Sequence, residues 1–245
     1  MSIQVMLVTG GSRGIGAAIV RLAAQRGYDV AFTYSRDDAA AEQVANDVRA
    51  QGRRVCAIKA DMADEAQILS AFARVDDELG ALSALVNNCA ITGKNSRLDT
   101  VATSTLREVL NVNILGAMIC AREAVLRMST QHGGVGGSIV LVSSRAALYG
   151  SPGEYVWYAA SKGAIDSFNV GLAREVGRDN IRVNAVSPGP IDTEMHRPGR
   201  LEAAIPNNPM ARAGTAMEVA EAVLFLASSA ASYVNGANIS ISGGV

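Results

Sequence analysis

Short runs of aliphatic and β-branched residues alternate with longer helical stretches along the whole chain, and this alternation constrains the fold most. Strands are expected at Ile3–Val8, Asp29–Thr33, Val55–Lys59, Ala84–Asn87, Ser138–Val142, Arg182–Val186 and Asn238–Ile241. Several are continuous Val/Ile/Leu runs, as suits strands covered on both faces. Helices are expected between them, at Gly14–Arg26, Ala39–Ala50, Glu65–Glu78, Ser104–Met128, Tyr155–Val176 and Ala216–Ala227. Asp64 with Gln67, and Thr215 with Glu218, have the spacing of a capping box, in which side chains satisfy the free N–H groups of a first turn. Strands alternating with helices form βαβ units with right-handed crossovers. The expected architecture is therefore α/β: one doubly wound domain over residues 1–245, with a seven-stranded parallel sheet and helices on both faces.

Composition narrows the function. Hydrophobic residues make up 49% of the 245, enough to bury a large core, and the formal net charge is −1. That balance argues against a nucleic-acid binder working through a basic surface, and against a chain too polar to collapse. Cys56, Cys89 and Cys120 form no CxxC pair, so neither a disulfide framework nor a metal site is expected. The apolar start is too short for a signal segment, and no uninterrupted apolar run reaches the ~18 residues of a membrane span. A cytoplasmic protein is the expectation. The stretch 188–209 holds most of the prolines and no apolar period; a long loop of this kind is expected to be functional, here a substrate lid containing His196. His132 is expected at the surface.

The first strand runs into Thr9-Gly10-Gly11-Ser12-Arg13-Gly14-Ile15-Gly16, and a helix follows. Gly10 permits a tight turn, and Gly14 and Gly16 are expected to let backbone approach a phosphate. The helix N-terminus supplies free N–H groups and the positive dipole end for a diphosphate. The spacing is GxxxGxG, so the common dinucleotide fingerprint is absent; the strand–loop–helix context carries the reading, which is that of a Rossmann-type site. A carboxylate at the end of the second strand would select NAD by bonding its 2′-hydroxyl. Here the end reads Thr33-Tyr34-Ser35-Arg36, and Arg36, Arg13 and Ser35 are placed to meet a 2′-phosphate. NADP(H) is expected over NAD(H).

Tyr158 and Lys162 are four residues apart in a helical stretch and share one face. A free phenol has a pKa of about 10, and a nearby ammonium favours its ionised form. Bringing it to about 7 takes about 4 kcal/mol of differential stabilisation. Such a phenol suits an acid/base that protonates a carbonyl oxygen or deprotonates an alcohol. Ser144 closes a strand fourteen residues earlier, and the C-terminal ends of parallel strands face the ligand crevice.

With these motifs in place, the chain resembles the short-chain dehydrogenases/reductases over essentially its full length. Thr9 to Gly16 looks like their cofactor loop. Asp61-Met62 resembles the pair that touches adenine, and Asn87-Asn88 the start of their Asn-Asn-Ala-Gly motif. Asn113, Ser144, Tyr158 and Lys162 look like the catalytic tetrad. Pro188-Gly189-Pro190-Ile191 and Thr193 resemble the segment that holds the nicotinamide carboxamide, and Ser242-Gly243-Gly244 is similar to the closing signature. The resemblance implies that Tyr158 is the acid/base and that Lys162 lowers its pKa and holds the nicotinamide ribose. It also implies that Ser144 orients the carbonyl, and that Asn113 anchors a water linking Lys162 to solvent. It implies a small carbonyl or alcohol substrate and a homotetramer, or a homodimer, with the two long helices at the interface. The pattern is nearest to glucose-dehydrogenase-like and 3-oxoacyl-carrier-protein-reductase-like members, so 3-oxoacyl thioesters, sugars and small ketones are the candidate substrates. There are two departures. Cys89-Ala90 stands where the family has Ala-Gly, which would strain Ala90 if its φ is positive. One residue is added between Ser144 and Tyr158, expected in the loop 146–154. The alternatives are a nucleotide sensor without turnover and a flavin or methyl-donor enzyme on the same sheet.

Overall fold

The structure is a computed structural model, and it describes residues 4–194 and 199–245. In chain order its elements begin β1 (Val5–Val8), α1 (Gly14–Gln25), β2 (Asp29–Tyr34), α2 (Asp38–Arg49), β3 (Val55–Lys59), α3 (Glu65–Glu78) and β4 (Leu82–Asn87). There follow α4 (Thr103–Leu110), α5 (Ala117–Met128), β5 (Gly137–Val142), α6 (Ala146–Tyr149), α7 (Val156–Glu175) and β6 (Ile181–Pro188). The last are β7 (Ile191–Asp192), α8 (Arg200–Ala204), β8 (Gly214–Thr215), α9 (Ala216–Ala227) and β9 (Asn238–Ile241).

Seven strands form one parallel sheet in the order β3-β2-β1-β4-β5-β6-β9. The central strands β1, β2, β4 and β5 are buried on both sides because both faces are covered, whereas the edge strand β9 alternates exposed Asn238 and Ser240 with half-buried isoleucines. One core packs Ile68 and Phe72 of α3, Ala121 and Ala124 of α5 and Ile165 of α7 against Leu7, Leu85, Ile139 and Leu141. The other packs Ile19 and Val20 of α1, Val44 of α2 and Val223 and Leu224 of α9 against Met6, Phe32, Val86 and Val140. The strand order reverses between β1 and β4. At such a switch point the crossover helices lie on opposite faces and leave a crevice at the strands' C-terminal ends. The seven expected strands are all present, together with the two-residue pair β7–β8.

The expected helix Ser104–Met128 is not one α-helix. Residues Asn111–Gly116 form a π turn between α4 and α5. Two contacts account for it: Asn113 is held sideways by the backbone of Ile91, and Gly116 lies so close to the Met62 carbonyl that a Cβ would sit 2.0 Å from it. A π turn places one extra residue where a functional side chain has to be aimed. By length and mean hydropathy (1.5) the stretch Thr103–Met128 passes as a membrane span, but 56% of its apolar window is buried in the domain, as in a core helix.

The caps divide in the same way. Thr215 and Glu218 close a full capping box. Asp64 accepts from the Gln67 N–H, but the Gln67 amide oxygen accepts from the Asp61 N–H rather than from Asp64, so the second box is half formed. Within the expected lid, residues 200–204 are helical and Ile191 is buried in the core; residues 195–198, including His196, lie outside the described residues. His132 is exposed, as expected.

Candidate active site

The crevice at the switch point is floored by the glycine loop. Gly10 and Gly14 have φ of +68° and +53°, a region side chains disfavour. Gly11 packs on Phe32, where a Cβ would fall 2.5 Å from its Cβ. Gly16 differs from expectation: a Cβ there would lie 2.1 Å from the Gly10 carbonyl oxygen, so its bareness closes the loop on itself rather than admitting a phosphate. The loop is held from across the sheet. Asn88 donates its amide to the carbonyls of Thr9 and Gly10 at 2.9 and 3.1 Å, and the buried Thr9 hydroxyl accepts from the N–H groups of Asn88 and Cys89, both at 3.0 Å. Asn88 thus shapes the cradle with its side chain.

The residues fit a dinucleotide. Helix α1 begins after Arg13 with no side-chain cap and no acid in its first turn, so its N–H groups and dipole are left to an anion. Arg13 and Arg36 are exposed, and neither pairs with an acid among the described residues. The acids near the end of β2 are occupied. Asp37 caps α2 through the Ala40 N–H, and Asp38 takes both the Lys59 ammonium, at 2.9 Å, and the Tyr34 hydroxyl. The hydrogen bond from Lys59, then that from Tyr34, holds the Asp38 carboxyl below its ordinary range. Ser35 is exposed beside Arg36. Asp61 accepts from the Ala63 N–H with one carboxylate oxygen, and Met62 is buried with its sulfur 3.7 Å from the Thr33 hydroxyl. Thr193 faces the loop, its Cβ 3.5 Å from a Cβ built on Gly14. Pro188 ends β6, Gly189 packs on Ser242, and the Ile191 side chain is in the core, which leaves only its main chain for a ligand.

The second wall is α7 against the end of β5. Lys162 is buried, and its ammonium donates to the Val142 carbonyl at 2.6 Å; the Ser143 hydroxyl donates to the Lys162 carbonyl at 3.2 Å. These contacts bring Tyr158, Lys162 and Ser144 to one end of β5. The Lys162 ammonium is 5.7 Å from the centre of the Tyr158 ring. Desolvation pushes the Lys162 ammonium down to about 8, with Cys89 and then Asp166 pulling it back up. Ser144 is half-buried, and its oxygen accepts from the Ala146 N–H at 3.1 Å. Asn113 uses both amide hydrogens, on the Ile91 carbonyl (2.9 Å) and the Ser161 hydroxyl (3.0 Å), and its oxygen accepts from the Ile91 N–H.

The first departure carries no backbone strain. Among the described residues, positive φ outside glycine occurs only at Ser151, Asn180 and Ala211, so Ala90 is unstrained. Cys89 is half-buried and desolvation pushes its thiol up to about 11, as expected of a filler. The segment after Ser144 folds into the single turn α6, followed by Gly150 and Ser151 in the left-handed region. Sequence reasoning missed Thr9, Thr92, Trp157 and Ser161 as organisers of the site. The one available signal was that buried polar groups are seldom idle.

A parallel sheet with an uncapped helix at its switch point and a Tyr/Lys helix beside it defines a nucleotide-binding oxidoreductase. The family model described as enoyl-(acyl carrier protein) reductase matches residues 10–245. The uncharacterized oxidoreductase YgfF of Escherichia coli is 47% identical over 98% of this chain and 99% of its own. A 3-oxoacyl-[acyl-carrier-protein] reductase of Bos taurus is 38% identical over 99% and 98%. Among solved structures, a short-chain dehydrogenase of Burkholderia cenocepacia in complex with NADP superposes with a TM-score of 0.91 at 36% identity, covering 98% of this chain and 97% of the other. The chain belongs to the short-chain dehydrogenase/reductase family.

Proposed function

We propose that this protein transfers a hydride between NADP(H) and a carbonyl or secondary alcohol of a small molecule, with Tyr158 as the acid/base. The observation that carries the reading is the buried Lys162 ammonium, one helical turn from Tyr158, 5.7 Å from its ring and bonded to the Val142 carbonyl at the end of β5. When bound, the nicotinamide supplies or accepts the hydride. In reduction the Tyr158 hydroxyl gives its proton to the substrate oxygen, and the Lys162 charge stabilises the phenolate left behind. The Ser144 hydroxyl donates to the same oxygen and fixes the carbonyl's direction. Asn113, its amide hydrogens engaged, offers a water only its remaining acceptors. NADP(H) over NAD(H) is supported by Arg13 and Arg36, unpaired among the described residues, by the engagement of Asp38 with Lys59 and Tyr34, and by the NADP held in the Burkholderia relative.

The substrate panel is 3-oxoacyl thioesters, sugars and small ketones, with residues 188–209 as the lid of a single domain spanning 1–245. Arg122 and Arg127 are tied to Glu65 and Asp76, which leaves no basic patch there for an acidic carrier. The assembly is a homotetramer in the cytoplasm. The support for assembly is a groove of about 240 Å³ between α5 and α7, lined by Met118, Val125, Leu126, Phe168 and Leu172 with Arg122 and Glu175 among them.

The test is NADPH titration by fluorescence followed by NADPH oxidation across that panel. Tyr158→Phe is expected to lose turnover by a factor of at least about 10² while still binding NADPH. Normal kcat in that variant overturns the proposal, and binding without turnover on any carbonyl favours the sensor.

A further inference from the structure

The candidate acid/base is buried but sits close to a helix end. Tyr158 is the third residue of α7, within its first turn. Among the described residues that turn has no N-terminal side-chain cap, and no acid lies within it. First turns leave four N–H groups without intrahelical partners, and uncapped ends fray. A group that must meet a substrate oxygen to a fraction of an ångström needs a firmer support than this.

The support is the residue before it. The Trp157 indole N–H donates to the Thr92 carbonyl at 2.8 Å, and the side chain is buried with Val109, Tyr155 and Tyr158. Tyr155 meets the Tyr158 ring edge-on, 5.5 Å between centres at 87°. Thr92 is itself well anchored. Its neighbour Ile91 is bonded twice to Asn113, and Asn113 reaches back to α7 through the Ser161 hydroxyl, which donates to the Tyr158 carbonyl at 2.7 Å. Gly93, at φ +72°, lets this segment lie against Thr105 of α4, whose methyl would be 2.6 Å from a Cβ.

We infer that Trp157 is a positioning residue: its indole N–H, bonded to the Thr92 carbonyl, tethers the first turn of α7, with Tyr158, to the segment Ala90–Gly93. This rests on Tyr158 being the acid/base, so Tyr158→Phe is the control.

Two changes at position 157 test it. Trp157→Phe keeps an aromatic filler and removes the donor. Benzothienylalanine incorporated at position 157 keeps the indole shape and lacks only the N–H, so it decides the question if the phenylalanine variant folds poorly. The expected result for both is a kcat roughly three- to tenfold lower, the loss of one net hydrogen bond. KM for the carbonyl and NADPH affinity hold, Tm falls by no more than the few degrees that one lost hydrogen bond is worth, and amide exchange quickens at residues 157–160 but not in the second half of α7. Wild-type kcat in the isostere overturns the proposal. So does a kcat loss accompanied by equal losses in Tm and NADPH affinity, which would mark Trp157 as packing alone. If Tyr158→Phe is inactive and the isostere is normal, only this inference fails; if Tyr158→Phe is active, the proposed function fails first.

Discussion

Lys162→Met in the cofactor-free protein tests whether the site holds a costly charge. Burial pushes the Lys162 ammonium from 10.5 down to about 8. Each tenfold loss of proton affinity is worth about 1.4 kcal/mol, so keeping the group charged costs the folded state about 3 kcal/mol at pH 7. The sign follows from proton binding. Between about 8 and 10.5 the unfolded chain binds the proton and the folded one does not, so wild-type stability rises with pH across that window. Below about 8 the penalty is fully present. Methionine removes it but leaves the Val142 carbonyl without its donor, a loss of about 1–3 kcal/mol. At pH 7 the variant is therefore expected to be as stable as the wild type or up to about 2 kcal/mol more so, and to lack turnover. At pH 9.5 its stability relative to wild type is expected to have fallen by about 2 kcal/mol. Urea unfolding of both proteins at the two pH values measures this difference, in which other titrating groups cancel. A relative stability unchanged between pH 7 and 9.5 would refute the claim that Lys162 titrates from a desolvated site.

Three further outcomes are expected. Gly16→Ala drives a methyl into the Gly10 carbonyl and should weaken NADPH binding by at least about tenfold in a fluorescence titration, since backbone rather than a flexible side chain has to move. Arg13→Glu and Arg36→Glu should each lower kcat/KM for NADPH by roughly tenfold or more and leave that for NADH unchanged or raised, because each replaces a cation with an anion where a 2′-phosphate is proposed to bind. Light scattering should give a mass near four chains, and Leu126→Glu, in the groove between α5 and α7, should reduce it.

Much of the fold was legible beforehand because it is periodic or local. The strands announced themselves as aliphatic runs, and Thr215 with Glu218 as a box. Tyr158 and Lys162 are brought together by helical spacing alone. What stayed hidden depends on distant partners. Nothing near Asn113 in sequence reports that Ile91 will draw it into a π turn and break one helix into two. Gly16 reads as phosphate clearance until the Gly10 carbonyl is seen against it. The Gln67 amide oxygen had two N–H groups within reach of its spacing, those of Asp64 and Asp61, and Asp61 won it. Nothing near Trp157 in sequence reports that its indole N–H will reach the Thr92 carbonyl.

The glycine loop is shaped by Asn88 and Thr9 reaching across from strands nearly eighty positions apart in the chain. A segment running from β1 through α1 to β2, cut out and transplanted to another scaffold, would therefore carry the recognisable motif without its geometry. For a designer, the smallest portable unit of this nucleotide cradle includes the end of β4, and substitutions at the two places are expected to be tolerated only in combination.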